Sequence, residues 1–481
     1  MYSLLFLAGL SFLICFFLTP LVRNFLNRTG VLDRPDLDRK FHERPIPRLG
    51  GVPIVAAMVL SLAVFSQIPF SGSDVFRSQW HTLLHLLPGG ALVFLIGVAD
   101  DLAGLKPWQK LAAESISASW LYFSGIRIHD VFGSTAVHVQ WLSFPLTLLW
   151  LVGCANAFNL IDGMDGLASG VGFFATCTML VASMLQSSGL VVLGLLTAPL
   201  AGALLAFLRF NFNPASMFLG DSGSLTIGFL LGAYGLLWSQ KSITLLGMTA
   251  PLMALAFPIL EAGISIARRF LRGDSIFSAD RGHIHHRLVD LGLTPRRAVL
   301  LIYAITSVCA MISLLAAMPQ FRYGGLVIIL FCAVSWMGVQ HLGYAEFSEA
   351  RKIILSGTVR QLIASQTKLR SYRYALERAE SMDECWRLTV DAMRELGFDA
   401  VELGLPGGVR LHVWLHPGGE DRCWSVRVPF GPSPEDGWLQ LWRDMERGEG
   451  YLMLHGVVSA VRELLPRKLL ECAPPVPADS A

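Results

Sequence analysis

Residues 82–101 read Thr82-Leu83-Leu84-His85-Leu86-Leu87-Pro88-Gly89-Gly90-Ala91-Leu92-Val93-Phe94-Leu95-Ile96-Gly97-Val98-Ala99-Asp100-Asp101. From Thr82 to Ala99 there is no Asp, Glu, Lys or Arg, and then two carboxylates arrive together. A bilayer is crossed by about 20 mainly apolar residues in helical form. The run is continuous rather than alternating, so it reads as a helix and not as a barrel strand. Two adjacent carboxylates at the membrane end of a helix are costly unless they are paired or hold a cation. Mg²⁺ suits them, since it takes hard oxygen ligands and is held by one or two carboxylates plus substrate phosphates.

Ten other runs resemble this one. The full set of spans is 3–22, 49–69, 82–99, 109–125, 141–157, 166–185, 188–208, 223–238, 245–267, 298–317 and 323–343. The chain is 53% hydrophobic and 15% charged, against about 25% charged for a soluble globular chain. This excludes a disordered, fibrous or ordinary cytosolic protein. The 136 residues from 346 onward carry as many charged side chains as the 345 before them. The expectation is therefore an all-α polytopic membrane protein of about eleven transmembrane helices, residues 1–345, plus a small C-terminal α+β cytoplasmic domain, residues 346–481. The first apolar run lacks a basic leader and a small-residue cleavage site, so it reads as a retained span. The eight cysteines form no C-x-x-C pair, and they read as small apolar residues rather than a disulfide or zinc framework.

The loops after the odd-numbered spans, with Lys110 at the start of the fourth span, carry 17 of the 21 Lys/Arg in residues 1–345. Positive charge marks the cytoplasmic side, which places the N-terminus outside and the C-terminal domain in the cytoplasm. Most acidic residues of this part lie on the same loops, a bias that the rule for basic residues does not explain. Five loops on one face share the polar residues, so they converge on one site.

Each of these loops has its own chemistry. The first holds Asp38-Arg39-Lys40-Phe41-His42-Glu43-Arg44-Pro45-Ile46-Pro47-Arg48-Leu49-Gly50-Gly51, a basic turn-rich segment that binds anionic groups or faces anionic lipid. The third holds Asp100 and Asp101, with Lys110 following at the start of the next helix. The fifth, Asn156-Ala157-Phe158-Asn159-Leu160-Ile161-Asp162-Gly163-Met164-Asp165-Gly166, joins amides, carboxylates and glycines with no cation to balance them. The seventh runs from Asn211 through Phe218 to Gly220-Asp221-Ser222-Gly223-Ser224, a carboxylate at a helix N-terminus that suits a metal–phosphate pair or caps the helix. The ninth holds Gly282-His283-Ile284-His285-His286-Arg287. No Cys accompanies these histidines, so they read as donors to a diphosphate rather than as a soft-metal site. Together the face asks for a nucleoside diphosphate with Mg²⁺ and a membrane-anchored phosphate. Phosphoryl transfer between them needs mainly positioning and charge stabilisation.

Residues 33–297 resemble the polyprenyl-phosphate N-acetylhexosamine-1-phosphate transferases. The resemblance rests on R-K-F-H-E-R-P-I-P-R-L-G-G, A-D-D-L-A-G-L, N-A-F-N-L-I-D-G-M-D-G-L-A-S-G, F-L-G-D-S-G-S and H-I-H-H in this order. The H-I-H-H form is similar to the N-acetylglucosaminyl branch. The resemblance implies transfer of N-acetylglucosamine-1-phosphate from a UDP-sugar to undecaprenyl phosphate with release of UMP, initiating lipid-linked cell-envelope polysaccharide. It implies Mg²⁺, with Mn²⁺ as substitute, a bacterial-type plasma membrane, and allows a homodimer. By motif, Asp100 and Asp101 match the catalytic pair, Asp221 and Asn159 the metal site, and Asp162 and Asp165 the nucleotide site. Lys40, His42, Arg48 and Lys110 fall in segments that bind phosphate. His283, His285 and His286 match the diphosphate-binding loop, and Asn211 and Phe218 a nucleoside pocket. Glu261 stands where this branch often has Asp.

Other readings are transfer of a different UDP-N-acetylhexosamine phosphosugar or of phospho-MurNAc-pentapeptide, a membrane lipid phosphatase, and a non-enzymatic lipid-linked sugar transporter. A transporter carries ionisable groups near the midplane rather than on one face. In the C-terminal domain, a helix over 346–380 is expected, a second one starting at the capping box Ser381–Glu384, strands at 400–404, 409–415, 423–429 and 438–442, and a helix at 451–470. Its net negative charge speaks against nucleic acid as a partner.

Overall fold

The computed structural model describes residues 1–33, 45–69, 73–128, 141–185, 191–239, 249–275, 282–316, 324–344, 346–348, 358–406, 408–416, 422–433, 436–445 and 451–472. The chain divides into two compact units, Met1–Glu346 and Phe347–Ala481.

The first unit is helical. Its described elements are α1 (Tyr2–Thr29), the short strands β1 (Leu32–Asp33) and β2 (Ile46–Pro47), α2 (Gly51–Gln67), α3 (Ser73–Ser78), α4 (Trp80–Ala103), α5 (Pro107–Phe123), α6 (Ser143–Ile161), α7 (Leu167–Leu185), α8 (Val191–Asn211), α9 (Gly220–Ser239), α10 (Thr249–Ala254), α11 (Ala256–Arg272), α12 (Ile284–Asp290), α13 (Pro295–Ala316) and α14 (Gly324–His341). Among the described residues, six helices are long and apolar enough to cross a membrane: Tyr2–Thr29, Trp80–Ala103, Ser143–Ile161, Leu167–Leu185, Val191–Asn211 and Pro295–Leu315. Leu5, Leu13, Phe17 and Leu21 of α1, and Ile305, Val308, Met311 and Leu315 of α13, are exposed. They recur at helical spacing, which in water would be an apolar stripe without a partner.

The helices α8 and α9 form the centre. Leu200, Ala203, Leu204 and Phe207 of α8 and Phe229, Leu231, Ala233 and Leu236 of α9 are fully buried. α8 packs on α1 and α7, and α9 packs on α4 and α6. Lipid is as apolar as these side chains, so close backbone approach through small residues must supply the attraction. Gly97 shows it: a Cβ there would stand 2.6 Å from the carbonyl oxygen of Asp221. This approach brings the N-terminus of α9 beside the carboxylate end of α4.

The expected single helix over 245–267 is broken at Leu255, between α10 and α11. Pro258 has no N–H to give the Ala254 carbonyl, and its ring suits the first turn of a new helix. The cysteines are all free, and Cys15, Cys154 and Cys309 are buried while Cys332 is exposed.

The second unit comprises α15 (Thr358–Glu377), α16 (Met382–Glu395), the strands β3 (Ala400–Gly404), β4 (Arg410–Trp414), β5 (Cys423–Pro429) and β6 (Trp438–Asp444), and α17 (Tyr451–Cys472). The strands form an antiparallel sheet of order β4-β3-β6-β5. Val401, Leu403, Leu439 and Leu441 pack against Leu376, Cys385, Val457 and Val461 of the helices. Ser381 caps α16 by accepting the Glu384 N–H at 3.2 Å. The Glu384 carboxylate takes the N–H of Glu380 rather than that of Ser381, at 2.9 Å.

Candidate active site

The site forms where α4, α5, α6 and α9 end together. Phe218 donates its N–H to the Pro47 carbonyl at 2.8 Å, and Gly50 donates to the Phe218 carbonyl at 3.0 Å. This ladder lays the end of the first loop beside the start of α9 and delivers Arg48 to the carboxylates. The Arg48 guanidinium lies 3.1 Å from Asp101, 3.7 Å from Asp221, 4.0 Å from Asp100 and 4.0 Å from Asp33. Burial opposes its charge, but Asp101, Asp221 and Asp33 outweigh burial and raise its pKa further.

The two adjacent carboxylates have different surroundings. Asp101 accepts the backbone N–H groups of Asp221 at 2.9 Å and Ser222 at 3.0 Å. It therefore caps α9 from a neighbouring helix, a task that the sequence suggested for Asp221. Gly220 makes room for this, with φ at +71°, where an added Cβ would stand 2.5 Å from Asp101 Oδ2. Asp100 accepts the Leu105 N–H at 2.8 Å with one oxygen. Its other oxygen faces Lys110 Nζ at 3.4 Å, and the same ammonium donates to Asp221 Oδ2 at 2.7 Å. One cation thus bridges two carboxylates from different helices.

Asn159 donates to Ser224 Oγ at 3.1 Å, which ties α6 to α9. Asp162 follows the last residue of α6. Burial first, then Asp221 and Asp101, raise its pKa well above the usual carboxylate range. Asp165 accepts from the Asn213 side chain and the Ala215 N–H, both at 3.0 Å, and so fixes the seventh loop. Asn211 accepts from Ser169 of α7 at 2.5 Å and donates to the Met217 carbonyl of the seventh loop at 3.0 Å, so its amide ties that loop to α7. A cavity of about 1110 Å³ is lined by Arg48, Asp162, Asp165, Phe218, Asp221 and His286 among others.

The histidines lie against the fifth loop, and His286 lines the same cavity. His283 Nδ1 lies 2.9 Å from Glu261 Oε1 and 3.1 Å from Ser265 Oγ. Glu261 also accepts the Ile284 N–H at 2.9 Å. The His285 ring is fully buried, and neither of its nitrogens has a hydrogen-bond partner among the described residues. Burial, with His286 and His283 beside it, holds its pKa well below the ordinary value. A Cβ on Gly163 would stand 2.7 Å from His285 Nε2, so the fifth loop lies directly on this ring. The rings of His285 and His286 are 4.4 Å apart. Lys40 and His42 lie outside the described residues.

Asn156 and Glu114 belong to this region without having been assigned a role from sequence. Glu114, on α5 one turn beyond Lys110, is fully buried and accepts a hydrogen bond from the Asn156 side chain of α6. Its Oε1 has no partner among the described residues. The signal for it was a carboxylate inside an apolar span, which is rare without a function.

The structure thus joins Arg48, Asp100, Asp101, Lys110 and Asp221 in one network, with Asn159 and Asp162 at its edge. Among the described residues no group of three or more His, Cys, Asp or Glu is placed to hold a metal ion by itself. A hard divalent cation can be held by only one or two carboxylates with phosphate oxygens. Asp100 and Asp221, which now share one ammonium, are the fitting pair.

A helical bundle whose scarce carboxylates and cations gather at one mouth defines a membrane-embedded enzyme acting on anionic groups. Comparison with known proteins specifies it. The model of Glycosyl transferase family 4 matches residues 83–239. The chain is 34% identical over 302 residues to the "Probable undecaprenyl-phosphate N-acetylglucosaminyl 1-phosphate transferase" of Bacillus subtilis (strain 168), covering 61% of this chain and 80% of the relative. It is 32% identical over 335 residues to the "Undecaprenyl-phosphate alpha-N-acetylglucosaminyl 1-phosphate transferase" of Thermotoga maritima, covering 67% of this chain and 93% of the relative. The protein of that name from Escherichia coli (strain K12) is 27% identical over 318 residues, covering 64% and 83%. The chain belongs to the polyprenyl-phosphate N-acetylhexosamine-1-phosphate transferases, membrane enzymes that transfer a sugar-1-phosphate.

Proposed function

We propose that this protein transfers N-acetylglucosamine-1-phosphate from UDP-N-acetylglucosamine to undecaprenyl phosphate and releases UMP. An oxygen of the lipid phosphate forms a bond to the β-phosphorus, and the bond from that phosphorus to the bridging oxygen breaks. The electron pair leaves with UMP. The observation that carries this reading is the bridging of Asp100 and Asp221 by Lys110, with Arg48 against Asp101 and Asp221. Carboxylates and cations held this way can exchange partners with a metal and with phosphates at little reorganisation cost.

Mg²⁺, held by Asp221 and Asp100 with Asn159 near it, would neutralise charge on the diphosphate when bound. Asp100 orients the lipid phosphate, whose second pKa of about 6 leaves it largely dianionic at neutral pH. Asp101 keeps the α9 N-terminus and Arg48 in place. Lys110 and Arg48 stabilise charge on the phosphates as the bond to UMP breaks. Asp162, Asp165 and Phe218 border the nucleotide, Asn211 supports that border, and His283, His285 and His286 face the diphosphate. Lys40 and His42 extend the basic first loop.

The membrane part carries eleven spans, with the N-terminus outside and the site cytoplasmic, in a bacterial-type plasma membrane. The product would initiate a lipid-linked cell-envelope polysaccharide. Purified protein in detergent, given undecaprenyl phosphate and Mg²⁺, should release UMP from UDP-N-acetylglucosamine faster than from other UDP-sugars. Absence of UMP with every UDP-N-acetylhexosamine overturns the reading.

A further inference from the structure

The face of α11 that carries Glu261 and Ser265 continues to Arg268 and Arg272, at helical spacing. Glu261 holds His283 and the Ile284 N–H. Arg268 holds the residue just before, donating from Nη1 to the Gly282 carbonyl. The histidine segment is thus held at its start by two side chains of one helix.

Arg268 is only 1% exposed, and a buried guanidinium is costly unless it is paired. Its partners come from beyond the last helix of the first unit. The guanidinium carbon lies 4.6 Å from the centroid of the Tyr344 ring. Arg268 Nε lies 3.5 Å from Glu346 Oε1, and Arg272 pairs with the same carboxylate. From the other side, Arg287 of α12 lies 5.3 Å from the Tyr344 centroid and donates to the Gly343 carbonyl at 3.0 Å. Tyr344 is buried between these cations. Three arginines, from before and after the histidines, therefore meet on Gly343, Tyr344 and Glu346. Cation–π contacts strengthen when desolvated, and buried charge-assisted pairs hold geometry well.

We infer that Tyr344 and Glu346 are positioning residues for the histidine segment. They set Arg268 and Arg287, and these set Gly282 and α12. That this positions His283, His285 and His286 for a diphosphate rests on the transferase reading. The latch itself does not. The next residue, Phe347, begins the second unit, so the latch is the last part of the first unit before the chain enters it.

The experiment uses the full-length protein in detergent and measures hydrogen–deuterium exchange of the amides of residues 283–290, with steady-state kinetics alongside. Tyr344→Ala and Glu346→Gln should each speed that exchange about tenfold. They should raise KM for UDP-N-acetylglucosamine about fivefold while kcat changes less than twofold, because Asp100, Lys110 and Asp221 are untouched. Tyr344→Phe, which keeps the ring, should behave as wild type in both readouts. Glu346→Gln is isosteric and carries the test by itself where Tyr344→Ala does not fold. Unchanged exchange at 283–290 in Glu346→Gln overturns the inference, as does Tyr344→Phe matching Tyr344→Ala. Should wild type release no UMP, the transferase reading fails while the exchange measurement still decides the latch.

Discussion

Asp100 and Asp101 are neighbours in sequence with opposite tasks. Asp101 spends both oxygens on the N-terminal amides of α9 and on Arg48. Asp100 keeps one oxygen for Lys110, which is shared with Asp221. Asp101→Ala should therefore act first on stability. A lost helix cap costs about 1–2 kcal/mol, and the unpaired Arg48 adds to it, so a fall of several degrees in the detergent melting temperature is expected. Asp100→Ala and Asp221→Ala should leave melting nearly unchanged and lower kcat by about a hundredfold or more. Chelation with EDTA should abolish UMP release, and added Mg²⁺ should restore it. If Asp221→Ala keeps full activity, Asp221 leaves the site. Glu114 makes a related prediction. Glu114→Leu removes one of two acceptors of the Asn156 amide, which also donates to the Val152 carbonyl at 2.9 Å, and should lower UMP release at least tenfold. Glu114→Gln still offers an oxygen to that amide and should stay within about threefold of wild type.

At the scale of elements, the histidine segment is held by α11 and by Tyr344 and Glu346. The Glu346 carboxyl is partly buried, which by itself raises its pKa, but backbone and Arg272 hydrogen bonds and the charge of Arg268 outweigh this and lower it. A carboxyl whose folded pKa lies below its unfolded value of about 4.3 stabilises the fold above that value. The contribution disappears as pH falls through the lowered folded value. The melting-temperature difference between wild type and Glu346→Gln should therefore stay constant from pH 8 to about pH 5 and shrink below about pH 4. A difference that shrinks instead between pH 8 and pH 6 would assign the effect to a histidine. The strands of the second unit could be anticipated because alternating apolar residues with Gly/Pro turns mark them locally. The break at Leu255 could not be located by hydropathy, because Pro258 is as compatible with an apolar window as with a helix start.

At the scale of the whole molecule, all proposed site residues that the structure describes lie in Met1–Glu346. Removing 347–481 should leave UMP release within about threefold of wild type, whereas removing 343–481 should raise KM as Tyr344→Ala does. Comparable loss in both truncations would give the second unit a part in catalysis. The order of the loops along the chain, their apolar partition and their unusual carboxylates were enough to read a membrane bundle and a phosphate-handling site. These signals are local, and the bilayer enforces them, since a charge placed anywhere but an end or an interior is penalised. Which carboxylate does what was not legible. Asp100 and Asp101 are identical in sequence terms, and only the approach of α9 through Gly97 and Gly220 gives one of them to the helix cap. Asn211 lines the cavity, and only the fold shows that its amide also ties α7 to the seventh loop, accepting from Ser169 and donating to the Met217 carbonyl. Glu346 looked like part of the soluble domain, yet it is paired with arginines of the first unit. Composition and spacing determine which groups must leave the lipid and on which loops they stand. Only tertiary packing decides their partners, because a buried charge takes its function from whichever opposite charge or amide the fold brings within hydrogen-bond reach.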